Sequence, residues 1–255
     1  SSLPSRAVST IQLSDNVSIA TTMLKKIARL ISDFFLPRRC VACNSRLHDG
    51  ETIVCSRCLL YESMSGIFAD HSDNVMVRSI LGCGDVVRGN ALFEFHPHSN
   101  IAQLIYRMKY DGRSSIAVFM GRHAAKELKP SGFFDGVDVI VPVPITRLRR
   151  FHRGFNQSEM LARGISEVTG IPVDATSLVR RRFSGSQTRL SGEQRLSNVR
   201  SAFELVSSSA LSGRHALVVD DIFTTGATLS VCLREISQKA AGVRLSILTL
   251  GMTKQ

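Results

Sequence analysis

Residues 215–229 read HALVVDDIFTTGATL, and this stretch decides the fold class. Four apolar residues precede two adjacent acids, Asp220 and Asp221. A short apolar run of this kind is typical of a strand buried on both faces of a parallel sheet. The loop Thr224 to Thr228 follows, and a helix is expected from Thr228 to Lys239. The order of strand, acids, loop and helix is that of a βα unit in an α/β protein.

The rest of the chain continues this alternation, which predicts an α/β parallel sheet flanked by helices. An amphipathic helix is expected from Val17 to Phe35, ending before Pro37. We expect three parts: a tail with this helix (1–36), a four-cysteine module (37–60) and the sheet domain (61–255). Strands are expected at residues 91–95, 137–143, 215–219 and 243–250. Further helices are expected at residues 101–108 (with Ser99 as N-cap), 116–128 and 155–168.

The acids and the loop together indicate a phosphate-bearing sugar as ligand. A loop that opens a helix beyond a strand's carboxyl end directs free N–H groups at an anion, and Gly226 permits close approach. Asp220 and Asp221 would instead accept bonds from sugar hydroxyls or hold Mg²⁺. A phosphate with vicinal hydroxyls describes a ribose 5-phosphate. Two alternatives are a Walker B strand, which lacks its P-loop in this chain, and a purely structural Asp-Asp turn.

Charge is concentrated in one arginine-rich segment. The chain carries a formal net charge of +11, with 32 basic and 21 acidic residues. Residues 147–200 contain eleven arginines, no lysine and four acids. Arginine favours planar, bidentate contacts to phosphate or carboxylate, so the segment is a candidate anion site. A basic loop without a ligand is the alternative.

Four of the six cysteines, Cys40, Cys43, Cys55 and Cys58, form two C-x2-C pairs separated by 11 residues. This spacing predicts a closed tetrahedral S₄ site for structural Zn²⁺, with an iron–sulfur cluster as a minor alternative. Cys83 and Cys232 are expected to be unpaired core residues. No secretory signal and no run of 18 uncharged apolar residues is recognisable, so we expect a cytoplasmic protein without a membrane span.

Three stretches carry a resemblance to known families. Val218 to Leu229 resembles the motif that binds phosphoribosyl pyrophosphate (PRPP) in type I phosphoribosyltransferases. Residues 141–163, VPVPITRLRRFHRGFNQSEMLAR, and residues 182–190, RFSGSQTRL, resemble the ComF family, as does the four-cysteine module. The resemblance covers roughly residues 24–250. Ser184 stands where the family pattern usually has Thr, and the hydroxyl is retained.

The resemblance implies a role for each group of residues, with Mg²⁺ accompanying PRPP. Asp220 and Asp221 become the catalytic acid pair on the ribose and its metal. The 5-phosphate is expected on Thr224, Thr225, Gly226, Ala227 and Thr228. The pyrophosphate is expected on Arg147, Arg149, Arg150 and Arg153, with Lys109 as a weaker candidate. A mobile loop closing over the ligand is expected to contain Arg182, Ser184, Gln187 and Arg195.

Two functional classes follow from this resemblance. One is a phosphoribosyltransferase that transfers the phosphoribosyl group to an unknown acceptor. The other is a non-catalytic protein that senses PRPP or handles single-stranded DNA, together with competence proteins, during DNA uptake. The acid pair and threonine loop favour the first class, and the basic charge and zinc module suit the second.

Overall fold

The computed structural model describes residues 37–63, 68–181 and 202–253. The helix expected at Val17 to Phe35 and the loop residues Arg182, Ser184, Gln187 and Arg195 lie outside these ranges. The described chain divides into two compact units. One unit is residues 37–40 with 44–55, and the other is residues 41–43 with 56–253.

The larger unit contains a four-stranded, fully parallel sheet, which confirms the expected α/β class. Its strands lie in the order β1-β6-β5-β2, and β3 and β4 form a separate antiparallel pair. The bounds of the strands are β1 (Val86–Phe95), β2 (Val139–Pro142), β3 (Leu178–Arg180), β4 (Phe203–Leu205), β5 (His215–Phe223) and β6 (Arg244–Thr253).

The helices occur where the alternation predicts them, with three additions. The short helices α1, α2 and α5 were not expected. The helix bounds are α1 (Ser56–Ser63), α2 (Val75–Ser79), α3 (Asn100–Tyr110), α4 (Ser114–Leu128), α5 (Arg147–Arg153), α6 (Gln157–Thr169) and α7 (Ala227–Lys239), with a 3₁₀ turn at Lys129–Ser131.

Both faces of the sheet are covered. Alternate residues of the buried strands point to opposite sides, so each face is apolar and packs against other elements. Ala216 and Val218 of β5 belong to a core cluster that also contains side chains of α2, α7 and the β3–β4 pair. Helix α6 packs along β5 and β2, α4 contacts β6, and α3 contacts β1. The four strands are therefore held between two layers, and their carboxyl ends form one edge.

Helices α4 and α6 cross with their backbones in contact. A Cβ atom at Gly121 would lie 2.2 Å from the carbonyl oxygen of Leu161, and one at Gly164 would lie 2.1 Å from that of Val118. Only hydrogen fits at these two positions. The crossing fixes the position of α6, whose first turn reaches the carboxyl edge of the sheet.

Helix α5 contains the four arginines that are expected to bind pyrophosphate. The side chain of Thr146 caps its first turn by accepting from the N–H of Arg149 at 3.2 Å. Gly154 ends the helix in the left-handed conformation, with φ of 80°. Both boundary signals are those of a helix, although the seven residues between them show little apolar pattern.

The smaller unit contains a tight hairpin. Arg39 and Arg46 form an antiparallel bridge, and the N–H of Cys40 donates to the carbonyl of Ser45 at 2.8 Å. Asn44 adopts φ of 62°, which closes the turn between the two bridge residues. Across the described ranges, no helix is long and apolar enough to cross a bilayer.

Candidate functional site

Asp220 and Asp221 lie at the carboxyl end of β5, between β6 and β2. The strand continues to Phe223, so both acids are part of the sheet, with Asp220 opposite Thr249 of β6. Since neighbouring residues of a strand point to opposite faces, the two carboxylates have different partners. One site therefore holds two acids in different surroundings.

Asp220 is held by two donors. The hydroxyl of Ser158, at the start of α6, donates to its Oδ1 at 3.0 Å, and the backbone N–H of Asp221 donates to the same atom at 2.8 Å. Burial, with the nearby Asp221 carboxylate, raises the pKa of Asp220 to about 7. The group therefore titrates close to neutral pH when no ligand is bound.

Asp221 is paired with Lys109 from the last turn of α3. The Lys109 Nζ atom lies 2.9 Å from Asp221 Oδ2, and the two side chains are only 20% and 17% exposed. The sequence predicts Lys109 at the pyrophosphate. The structure brings Lys109 into the site, but places its ammonium group on the acid pair.

The loop after β5 supplies the anion-binding geometry. Gly226 adopts φ of 72° and precedes α7, whose first turn has no side-chain cap. A Cβ atom there would lie 2.8 Å from the ring of Phe223, so the position requires glycine. Thr224, Thr225 and the helix residues Ala227 and Thr228 are exposed. The uncapped first turn of α7, the threonine hydroxyls and the positive end of the helix dipole thus follow directly after the acid pair.

The four arginines of α5 divide into two groups. Arg150 lies 3.4 Å from the buried Glu159, and Arg153 donates to Gln157 Oε1 at 3.0 Å. Within the described ranges, Arg147 and Arg149 have no carboxylate within 4.0 Å. Arg147 and Arg149 are therefore the more available anion ligands, while Arg150 and Arg153 fasten α5 to α6.

Three residues join the site that the sequence did not single out. Ser158 holds Asp220, and Gln157, which is 1% exposed, has a buried Nε2 without a partner among the described residues. Arg180 on β3 stacks over the ring of Phe203 at 5.0 Å. Burial and the nearby Arg149 lower the pKa of Arg180, which marks a half-buried cation without a carboxylate partner in the described chain. Gln157 and Ser158 lie inside the stretch 141–163 that resembles the ComF family, but their residue types alone do not indicate a contact with the acid pair.

Helices α3 and α5, beside the site, both expose aromatic side chains. Tyr106 and Tyr110 on α3 lie with ring centroids 4.7 Å apart, and Arg153 lies over the Tyr110 ring at 5.4 Å. Phe151 on α5 is 83% exposed, and Leu148 is 60% exposed. We call these five residues the α3–α5 patch. No local sequence pattern groups them, because α3 and α5 are far apart in the chain.

The four predicted cysteines converge. The sulfur atoms of Cys40, Cys43, Cys55 and Cys58 all lie within 4.8 Å of one another, and none forms a disulfide. A tetrahedral Zn²⁺ with Zn–S bonds of about 2.3 Å needs sulfur atoms about 3.8 Å apart, so a small contraction suffices. The N–H of Cys55 also donates to the sulfur of Cys40 at 3.3 Å, which suits a thiolate. The cluster can hold a zinc ion. Cys83 and Cys232 are buried and free, as expected.

Comparison with known sequences finds relatives with DNA-related names. No protein-family model matches the chain. It is 34% identical over 133 residues to the DNA utilization protein YhgH of Escherichia coli K12, covering 51% of this chain and 58% of that protein. It is 27% identical over 206 residues to Competence protein F of Haemophilus influenzae, covering 77% and 89%. It is 25% identical over 222 residues to Competence protein ComFC of Bacillus subtilis, covering 83% and 82%. The chain thus spans little more than half the length of the YhgH protein.

Comparison with solved structures finds proteins whose names contain PRPP or phosphoribosyl transferase. Glutamine PRPP amidotransferase from B. subtilis matches with a TM-score of 0.41 and 22% identity, over 56% of this chain and 30% of that one. Hypoxanthine phosphoribosyl transferase of Trypanosoma cruzi matches with a TM-score of 0.33 and 15% identity, over 58% and 67%.

Proposed function

We propose, on the premise that this chain is a relative of the ComF competence proteins, that it binds PRPP and transfers its phosphoribosyl group to an acceptor. The carrying observation is the adjacency of two kinds of binding group at one strand end. Asp220 and Asp221 meet the uncapped first turn of α7 across the Gly226 turn. Carboxylates suit ribose hydroxyls and a divalent cation, and the helix N-terminus suits the 5-phosphate.

The proposed reaction replaces an oxygen on C1 of the ribose with a nitrogen. The bond from C1 to the pyrophosphate oxygen breaks, and pyrophosphate leaves with the electron pair. A bond from C1 to the acceptor nitrogen forms, and the proton of that nitrogen passes to solvent. Most of the rate then comes from positioning and from neutralising the leaving group, a role that we assign to Arg147, Arg149 and Arg180 because they have no carboxylate partner in the described chain.

Mg²⁺ suits the acid pair, because hard carboxylate oxygens are its preferred protein ligands. Asp220 and Asp221 would hold it, directly or through ribose hydroxyls, and the ion would neutralise charge on the pyrophosphate. Ser158 and the N–H of Asp221 keep Asp220 oriented for this contact.

Isothermal calorimetry with PRPP and Mg²⁺ tests the binding step. We expect the parent protein to bind and the double variant Asp220→Asn, Asp221→Asn to lose binding while remaining folded. The matched control is Asp85→Asn with Asp135→Asn, which removes two exposed acids near the amino ends of the strands. Equal PRPP affinity in the parent and the site variant would overturn the assignment.

The transfer step needs its own test, since binding alone also suits a sensor. Purified protein, PRPP and Mg²⁺ are incubated with a small-molecule extract, and ribosylated products and released pyrophosphate are followed by mass spectrometry. We expect pyrophosphate release that depends on the extract and on Asp220 and Asp221. PRPP binding without any extract-dependent release would favour a non-catalytic role.

We further infer that the four cysteines bind structural zinc. Thiolates are soft ligands that prefer zinc to magnesium, and four of them leave no position open for a substrate. Residues 37–60 would then depend on the metal for their fold.

The α3–α5 patch favours a second candidate function, the handling of single-stranded DNA. Exposed rings beside arginines are the combination that stacks bases and neutralises phosphates. The relatives' names refer to DNA utilization and competence. The patch adjoins Lys109, so a bound strand would reach the edge of the proposed PRPP site.

A further inference from the structure

The ammonium group of Lys109 forms an ion pair with Asp221, one of the two acids of the site. This group lies 2.9 Å from Asp221 Oδ2, and about four-fifths of each side chain is buried. Asp220, next in the chain, bonds instead to Ser158 and to the backbone. Of the two acids, Asp221 is therefore the one whose charge is neutralised by a side-chain cation.

This pairing conflicts with ligand binding as proposed above. A divalent cation that approaches Asp221 is repelled by the ammonium group already beside this carboxylate, and the repulsion is strong because the pair is largely shielded from water. The ammonium group and the divalent cation therefore compete for Asp221.

The position of Lys109 allows it to move. It stands on the last turn of α3, one residue before the helix ends at Tyr110, and Gly112 follows with φ of 67°. Its four-carbon stem has many accessible rotamers, and an ammonium group bonds as a point charge without a fixed plane. The neighbouring Tyr110 lies against Arg153, so the end of α3 that carries Lys109 adjoins the arginine-bearing helix α5.

We propose that Lys109 is an exchangeable counter-ion of Asp221. Without ligand, its ammonium group pairs with the Asp221 carboxylate. When the cation and the ribose bind Asp221, the ammonium group leaves this carboxylate and pairs with the pyrophosphate of the ligand. The proposal rests on the proposed PRPP site and gives Lys109 opposite effects on two ligands. It competes with the free cation and assists PRPP.

The variant Lys109→Met tests this opposition, because Met keeps most of the side-chain volume without the charge. Binding of Mn²⁺ alone, a substitute for Mg²⁺, is followed from the electron paramagnetic resonance of the free ion. We expect about fivefold tighter Mn²⁺ binding in the variant, the size that loss of such an ion pair supports. We expect PRPP with Mg²⁺, measured by calorimetry, to bind at least about tenfold more weakly.

Three further variants interpret the result. Lys239→Met removes the same charge from another ion pair, with Glu235 at the far end of α7, and should leave both affinities unchanged. Lys109→Arg keeps the charge and should bind Mn²⁺ no more tightly than the parent. Lys109→Gln, which also removes the charge, should tighten Mn²⁺ binding and serves as the test if Lys109→Met does not fold.

Each outcome decides a separate question. Unchanged Mn²⁺ affinity in Lys109→Met, or weaker binding of both Mn²⁺ and PRPP, would overturn the counter-ion assignment and leave Lys109 a structural residue. Tighter Mn²⁺ binding without PRPP binding by the parent would support the competition for Asp221 and overturn the proposed function. Opposite shifts of the two ligands support both.

Discussion

The surroundings of Asp220 disfavour the charged form of its carboxyl group, and this makes the stability of the folded protein depend on pH. Burial and Asp221 raise its pKa to about 7, against about 3.9 in an unfolded chain. Below about pH 4 both states hold the proton and no penalty arises. As the pH rises from 4 to 7 the unfolded state loses its proton first, so stability falls, and above 7 the penalty is constant. At 1.36 kcal/mol per pKa unit the penalty is at most about 4 kcal/mol.

The variant Asp220→Asn should therefore stabilise the ligand-free protein. The amide oxygen can still accept from Ser158 and from the N–H of Asp221, but no charge is buried. We expect a higher melting temperature at pH 8, with a smaller gain at pH 5, in calorimetric scans at both values. Asp135→Asn, which removes an exposed acid, should show no such pH-dependent gain. Destabilisation at pH 8 would contradict the raised pKa.

Gly226 is needed for two reasons, and a matched glycine separates them. Gly226→Ala places a Cβ atom 2.8 Å from the Phe223 ring in a left-handed conformation, whereas Gly213→Ala has the same conformation (φ 69°) with open space around it. We expect a loss of about 1–2 kcal/mol from backbone strain in both. Gly226→Ala should lose more than that and should weaken PRPP binding, measured by urea unfolding and calorimetry. Equal losses would mean that the ring contact is unimportant.

The crossing of α4 and α6 positions Ser158 and Gln157 at the site. Gly164→Ala forces a methyl group into the carbonyl of Val118, so the helices must separate. We expect a loss of about 3 kcal/mol in urea unfolding, at the upper end for overpacked sites. Weaker PRPP binding should accompany it. Ser166→Ala, at a half-buried position of the same helix, should change stability by less than about 0.5 kcal/mol. A neutral Gly164→Ala would contradict the close crossing.

The cysteine cluster predicts that the zinc content of the protein depends on its four thiolates. Cys55→Ser should lower the zinc content of the purified protein, measured by elemental analysis, because a hydroxyl is a poor substitute for a thiolate ligand. Cys83→Ser is the control, since Cys83 is buried but lies outside the cluster. A parent protein containing neither zinc nor iron would remove the metal assignment.

Elements that carry their own local signals could be predicted from the sequence. Ser99 caps α3 and Gly170 ends α6, as their residue types indicate. Strand β5 extends four residues beyond the expected end, because Asp220 and Asp221 continue the ladder with β6 despite their charge. Helix α5 was missed because its cap residues, Thr146 and Gly154, enclose a basic sequence without an apolar stripe.

The contacts of the candidate site could not be predicted in the same way. The pairs Lys109–Asp221 and Ser158–Asp220 join residues 112 and 62 positions apart, through a packing that no local pattern encodes. Arg180 reaches the site only because β3 pairs with β4 and sets its side chain over Phe203. The identities of the acid pair and the loop were readable, while their partners depend on the tertiary fold.

The whole molecule carries a net charge of +11, which attracts nucleic acid, and the α3–α5 patch adds exposed aromatic rings that can stack on bases. If the patch binds single-stranded DNA, Phe151→Ala should weaken binding of an oligothymidylate at every salt concentration. Arg149→Gln, at a basic residue of α5 outside the patch, should instead lower the logarithmic salt slope by about 0.7, the value for one phosphate contact. Fluorescence anisotropy across a salt series measures both. Leu60→Ala, at an exposed apolar residue of α1, is the control. No effect of Phe151→Ala would leave only non-specific attraction.

The order of strands in the sheet has a consequence for biosynthesis. Strand β6 lies between β1 and β5, with Leu245 opposite both Val86 and Ala216. While the ribosome is still translating the message, β1 emerges long before the strand that must pair with it. The nascent chain then exposes two unpaired apolar strand edges, the state in which chaperones bind and aggregation begins. Assembly of the sheet is therefore a late event, completed only after residues 244–253 have been released from the translating ribosome.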